Sequence, residues 1–467
     1  MMKHYAKRTV QIITAAMMML AAPAMAWGEE EVKYISGDEE KSIEATVLTS
    51  EETTLGTDGA ETWYVVPEGG VAYDQGLILI GDVYLILRDG ATMDVPSSLL
   101  NGEGSINIFA QSTGENMGQL VITAATAGGN ITINGGQVEV YDGGISAQKD
   151  ITINGGQVTV SDGISALNDI TINGGQVTVN GGGIFPQKNI TLSWSKVTDF
   201  IQASSIQSES GTISIRQGKK MAYIDEDNDN VVTLEGTITD PAKLNGNKLT
   251  PPMVKLFDTG KTNLWMTWCD QGVWVMPEGC TAYKVSGIST DGKSVMIEPI
   301  ENGEVPGYTP VLIKREYQDR SYYATFSEIG EQPSSSNEDD SKGWVFKGNY
   351  YTNSMGGLYG IDAHADKVSY ILLNDEFVRV YASDGEIQPR RCWLTVTPAA
   401  TNTAGARRLS IGSANSSGGT TAIRTMDGDS SDAASDALWH TLDGRTLTTR
   451  PTQKGIYIHQ GNKIIIK

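Results

Sequence analysis

From Ile131 onward, apolar and polar residues alternate in short, regularly recurring runs. Ile131 and Ile133 flank Thr132, Val138 and Val140 flank Glu139, and Asn134-Gly135-Gly136 separates the two runs. Alternation of this kind is the pattern of a half-buried strand, so each run predicts one strand. The whole block then repeats. ITINGGQVEVYDGGISAQKD starts at Ile131, ITINGGQVTVSDGISALND at Ile151, ITINGGQVTVNGGGIFPQKN at Ile170, and a degenerate ITLSWSKVTDF at Ile190. The starts are 20, 19 and 20 residues apart, and a fixed period of this size marks a solenoid.

At roughly 3.3 Å per residue, two short strands, a corner and a third segment near Ile145 use up one circuit. One repeat is therefore one coil of a parallel β-helix, most simply three-sided, at about 20 residues per coil. Stacking predicts three internal ladders: Ile131, Ile151, Ile170 and Ile190; Ile133, Ile153, Ile172 and Leu192; and Val138, Val158, Val177 and Val197. Asn134, Asn154 and Asn173 share a corner, where asparagine tolerates positive φ and bonds the backbone, which predicts a structural ladder there. Upstream, GDVYLILRDGATMDV and GSINIFAQ extend the pattern with longer circuits. Val83 to Ile106 is 23 residues and Ile106 to Ile131 is 25. TISI at 212–215 and VVTL at 231–234 read as closing strands, so the solenoid is placed at 60–250, preceded by an acidic extension or cap at 27–59.

After Pro251 the repeat stops. Eight short alternating runs, from VWVMPEG to CWLTVTP, occupy 251–400 without a helical period and predict an antiparallel, sandwich-like all-β domain. A Ser/Gly/Asp-rich linker at 401–436 and a small C-terminal β module at 437–467 complete an all-β chain.

Charge narrows the function. The 467 residues hold 35 Lys plus Arg against 56 Asp plus Glu, a net charge of −21 with no basic stretch after residue 8. Binding to nucleic acid by phosphate neutralisation is excluded on this balance, as is docking on anionic lipid. Lys3, Lys7 and Arg8, the apolar run Thr9 to Ala22 and the Ala24-Met25-Ala26 pattern read as a signal peptide over 1–26. Those residues carry three basic and no acidic groups, so the exported chain has a charge of 32 − 56 = −24. No later run approaches the roughly 20 apolar residues of a membrane span. Cys269, Cys280 and Cys392 form no CxxC pair, which leaves buried thiols or one incidental bridge in place of a disulfide framework.

The tail Trp439-His440-Thr441-Leu442-Asp443-Gly444-Arg445, followed by Lys454 to Ile458 and Lys463 to Lys467, resembles the C-terminal sorting sequences of exported Bacteroidales proteins that use type IX secretion. ETWYVVPEGG, GDVYLILRDGATMDV and the ITINGGQVTV repeats are similar to those of gut Bacteroidales surface proteins with an adhesin-like or carbohydrate-binding β-helix. MPEGCTAYKVSG and TPVLIK resemble an all-β module found downstream in such proteins. The resemblance implies a location at the cell surface or outside the cell, and contact between the tail and secretion machinery.

Candidate chemistry is sparse. Asp225, Asp227 and Asp229 stand at alternate positions of an acidic run between MAYI and VVTL, and either a calcium site or a plain hairpin turn satisfies that spacing. Position twelve from Asp225 is Gly236, where an EF-hand needs a bidentate glutamate. No other cofactor is implied. The outward positions of the perfect repeats are threonines with a lone Glu139, which supply no acid/base pair for a glycosidase. Asp142 and Asp162 sit beside corner glycines as turn residues, and His364 lies between Asp362 and Asp366 without a nucleophile motif. Phe185, Trp194 and Phe200 interrupt the polar repeat. They are candidates for stacking on a sugar ring or for capping the end of the core. The sequence thus points to a non-enzymatic, adhesin-like protein binding glycan or a host or matrix polymer. The rivals are a polysaccharide lyase or hydrolase and a structural surface spacer.

Overall fold

Each coil closes because identical side chains meet their own copies one rung away. In the computed structural model, Val83, Ile106, Ile131, Ile151, Ile170, Ile190 and Ile213 pair in sequence along one parallel sheet. Leu85, Ile108, Ile133, Ile153, Ile172, Leu192 and Ile215 form the adjacent column, and the members of both are almost fully buried. The structure describes residues 28–101, 104–332, 342–350, 355–356, 366–380, 386–403, 406–413, 439–441, 446–447, 455–459 and 462–466. The signal-peptide segment, His364 and most of the linker lie outside these residues. Strand accounts for 55% of the chain and helix for 3%, and the solenoid turns about every 21 residues through about eight turns.

Three parallel sheets line the coil, represented in one circuit by Ile131–Ile133, Gln137–Val140 and Ile145–Ala147. The second-sheet column runs Leu120, Val138, Val158, Val177 and then Ile201, so Val197 is not its next member. At this coil the Asn-Gly-Gly corner is replaced by the longer Ser193–Asp199 segment, which delays the next strand to Phe200–Ala203. The corner asparagines do form a ladder. Asn154 Nδ2 donates to Asn134 Oδ1 at 2.8 Å, Asn173 Nδ2 to Asn154 Oδ1 at 2.8 Å, and Arg216 Nη1 ends the series on Asn173 Oδ1 at 3.1 Å. The positive φ expected at asparagine falls instead on the second glycine, at 87° for Gly156 and 91° for Gly175. A Cβ on Gly156 would stand 2.5 Å from the Gly136 carbonyl oxygen, so the stacked corner requires glycine there.

The stretch 27–59, expected as an acidic extension or cap, is largely strand. Glu29–Ser36 and Glu39–Val47 form an antiparallel hairpin whose end, Thr46 and Val47, pairs in parallel with Tyr64 and Val65. The strand Thr54–Val65 already belongs to the parallel stack, with Thr54 paired with Ile78. The hairpin covers the outer face of the first sheet: Val32, Tyr34 and Ala45 bury Val65, Ile86 and Phe109 beside Trp63 and Tyr84. Alternation explains this, because Tyr84 and Ile86 face out where Val83 and Leu85 face in.

At the other end of the solenoid, Met221–Asp225 and Asn230–Leu234 form a separate antiparallel hairpin, and Leu234, Leu244 and Leu249 close the core. TISI thus continues the coil while VVTL belongs to the closing hairpin. The following domain packs a four-stranded sheet and a nine-stranded sheet, counted among the described residues. Arg408–Ser413, placed by sequence in the linker, is a strand of the larger sheet. It pairs in parallel with Ser294–Pro299 and antiparallel with Glu376–Arg379, and Leu409 is buried in the core. The terminal segments 439–441, 446–447, 455–459 and 462–466 form a four-stranded antiparallel sheet. Among the described residues no helix is long and apolar enough to cross a membrane.

Candidate functional site

The repeated corner between the first and second sheets leaves a groove of about 250 Å³ along the solenoid. Gly135, Gly155, Gly156 and Gly175 line it with backbone. One wall carries the asparagine ladder. The other carries glutamines held in register, Gln137 opposite Gln157 and Gln157 opposite Gln176. At about 4.8 Å per rung, three coil steps give the groove a length of roughly 14 Å. The hairpin tip at Gly37 and Asp38 and the loop around Thr113 flank one end, and Ser195 to Asp199 flank the other.

The amides at the two ends are occupied. Gln137 Nε2 donates to the Glu115 carbonyl at 3.2 Å, and Gln176 Nε2 donates to the Thr198 carbonyl at 3.4 Å. Gln157 between them lines the groove, and its amide makes no hydrogen bond among the described residues. The carboxylates on the groove are Asp38 and Asp199. Asp199 is buried, and its Oδ2 accepts from the N–H groups of Ser195 and Lys196, both at 2.7 Å, and from Ser195 Oγ at 3.0 Å. That oxygen is committed to shaping the loop. Lys196 also lines that end, and beside these three charged groups the groove presents hydroxyls, amides and exposed backbone, a set that donates and accepts hydrogen bonds equally well. The sequence pattern did not single out the glutamines. Their signal was the constant Gln that follows each Gly-Gly corner.

The three aromatic candidates do not form one platform. Phe185 stands on the third sheet, in register with Ser165, and is 38% exposed. Phe200 follows Gln176 on the second sheet, with Lys248 Nζ 3.9 Å above its ring. Trp194 is only 5% exposed, which removes it as a stacking surface. Its indole N–H donates to the Lys220 carbonyl at 2.7 Å and its ring meets Phe326 edge-on at 6.1 Å, so it plugs the end of the core against the second domain.

Asp225, Asp227 and Asp229 do not converge either. The run is a hairpin turn in which Asp225 pairs with Asn230 and accepts from Asn228 Nδ2 at 2.9 Å. Asp229, at φ 51°, points to the second domain. Its carboxylate accepts from Lys255 Nζ at 2.7 Å, from Ser321 Oγ at 2.6 Å and from the Tyr323 hydroxyl, and Lys255 also reaches Asp258 at 3.0 Å. The Lys255 ammonium thus supplies the turn with a cation. Among the described residues no group of three or more His, Cys, Asp or Glu is placed to hold a metal. The hydrogen bonds from Lys255, then Ser321 and Tyr323, hold the Asp229 carboxyl at about 2, below the ordinary 3.8. Tyr323 is pushed up to about 12, first by burial and then by Asp229.

A depressed carboxyl stabilises the folded state above its unfolded pKa, and that stability is lost as pH falls through the folded value. Wild type should therefore lose junction stability between about pH 4 and about pH 2. Asp229→Asn should lower the melting temperature at neutral pH and remove this part of the acid limb, measured as the difference between the two melting profiles. Partial exposure of the pair keeps the effect small. Identical profiles would show that the contact contributes nothing.

In comparisons with known proteins, the chain matches no protein-family model, no curated protein and no solved structure.

Proposed function

We propose that this chain is a non-enzymatic, exported β-solenoid protein that holds an extended, uncharged polysaccharide in its corner groove. The observation that carries the reading is the Gln157 amide, which makes no hydrogen bond among the described residues, at the centre of a groove lined mainly by amides, hydroxyls and bare backbone. Sugar hydroxyls are donors and acceptors at once and suit such a wall, and the rung spacing of about 4.8 Å offers repeated contacts to an extended chain. The commitment of the Asp199 carboxylate to its own loop favours binding over acid/base catalysis. Export rests on the first 26 residues, and surface exposure on the C-terminal strand module acting as a sorting signal. A spacer that projects the second domain is the second reading, favoured by the Asp229 and Trp194 ties across the junction.

The test is retardation of the chain in gels containing neutral or acidic polysaccharides, with release of new reducing ends followed in parallel. The proposal expects retention by a neutral polysaccharide and no new reducing ends. Reducing ends would favour the lyase or hydrolase, and no retention by any polymer would favour the spacer. Deleting residues 437–467 should leave retention unchanged and abolish cleavage of the protein by protease added to intact cells. Equal cleavage of both forms would remove the sorting role.

A further inference from the structure

The three cysteines divide into a pair and a single residue. Cys269 follows the strand Trp265–Trp268, and Cys392 opens the strand Cys392–Val396. The two segments hold each other reciprocally. The Cys269 N–H donates to the Arg390 carbonyl at 3.3 Å and its thiol to the Arg391 carbonyl at 3.4 Å. The Cys392 thiol donates to the Trp268 carbonyl at 3.0 Å and its N–H to Thr267 Oγ1 at 3.1 Å. Each sulfur therefore lies against the residue that precedes the other cysteine. Gly348 fixes the position independently. It is the strand partner of Cys392, and a Cβ on it would stand 2.7 Å from the Cys269 sulfur. Both cysteines are buried, whereas Cys280 stands half-buried on another strand opposite Arg315.

We infer that Cys269 and Cys392 are a redox-convertible pair that closes to a disulfide when the folding chain meets a disulfide oxidant. One cysteine loses its proton and attacks a sulfur of the oxidant, expelling one oxidant thiolate and leaving a mixed disulfide. The second cysteine, as its thiolate, then displaces the remaining half. Two S–H bonds and the oxidant's S–S bond are broken and one protein S–S bond forms. The oxidant leaves as two thiols, carrying the two protons and two electrons. Burial raises the Cys392 thiol well above its ordinary value, so exchange belongs to the stage before the strand Cys392–Val396 docks. The cysteines are 392 − 269 = 123 positions apart, and a bridge closing so long a loop strongly restricts the unfolded chain.

The experiment refolds the full chain from denaturant with oxidised glutathione, denatures it again without reductant, and counts maleimide-labelled thiols by mass spectrometry. One labelled thiol, mapped to Cys280, is expected, rising to three after reduction. The bridge should raise the melting temperature of the second domain by roughly 10 °C over the reduced protein. Cys280→Ser should keep both the bridge and the shift, and Cys392→Ser should label at Cys269 and Cys280. Three labelled thiols in the oxidised wild type, or a bridge that includes Cys280, would overturn the inference. The wild-type count decides even if a variant fails to fold.

Discussion

Ile153→Asp is expected to abolish cooperative folding of the solenoid. Ile153 is fully buried between Ile133 and Ile172, and nothing near it can pair a carboxylate. The substitution removes the burial of an isoleucine and inserts an uncompensated charge, a combined loss of about 5–8 kcal/mol. That is comparable to the whole stability of a typical domain, roughly 5–15 kcal/mol. Each coil contacts only its neighbours, so the break should spread along the stack instead of remaining a local defect. Limited proteolysis should cut within residues 131–215 of the variant and leave this region intact in wild type. Ile153→Val, which removes one methylene, should cost about 1 kcal/mol and keep the region resistant. If the Asp variant melted like wild type, position 153 would not be inside.

Arg315→Ala is expected to destabilise the second domain by about 3–5 kcal/mol while leaving the solenoid transition in place. Arg315 is 0% exposed. Its Nε donates to the Asn263 carbonyl at 2.9 Å, its Nη1 to the Asp258 carbonyl at 3.0 Å and its Nη2 to the Lys261 carbonyl. The guanidinium also lies 4.9 Å from the centre of the Phe257 ring. It is the post around which residues 258–263 wrap, and its loss strands three carbonyls. Arg315→Lys should recover less than half of the loss, because an ammonium cannot reproduce the planar fork. Two-step melting by calorimetry reads the effect, with the second domain's transition moved down. A single unmoved transition would contradict the role.

What sequence could tell depended on repetition. The ladders through Ile131 and Ile133 were legible because three nearly identical coils must place identical residues at identical positions. Val197 was misplaced because the seven residues Ser193–Asp199 replace the corner, and only the carboxylate of Asp199 closing on Ser195 and Lys196 explains the delay. The N-terminal hairpin was hidden by its charge. Glu29, Glu31 and Lys33 mask an alternation in which Val32 and Tyr34 alone need burial. Leu409 and Ile411 carried a strand signal too short to stand out beside the Ser- and Gly-rich run that follows. The groove escaped because glycine and glutamine carry no hydropathy signal. It lies where the backbone corners stack, beside a middle glutamine whose amide has no partner among the described residues.

The most direct test of the groove as the binding surface compares wild type with Gln157→Trp and Thr159→Trp for retention by neutral polysaccharides. Gln157 lies in the groove, whereas Thr159 is exposed on the same strand outside it, so the two variants place the same indole on one rung, inside the groove and outside it. The account predicts that Gln157→Trp loses retention by at least tenfold, about 1.4 kcal/mol, while Thr159→Trp binds as wild type does. Loss with Thr159→Trp and not with Gln157→Trp would move binding to the threonine-bearing face and contradict the groove.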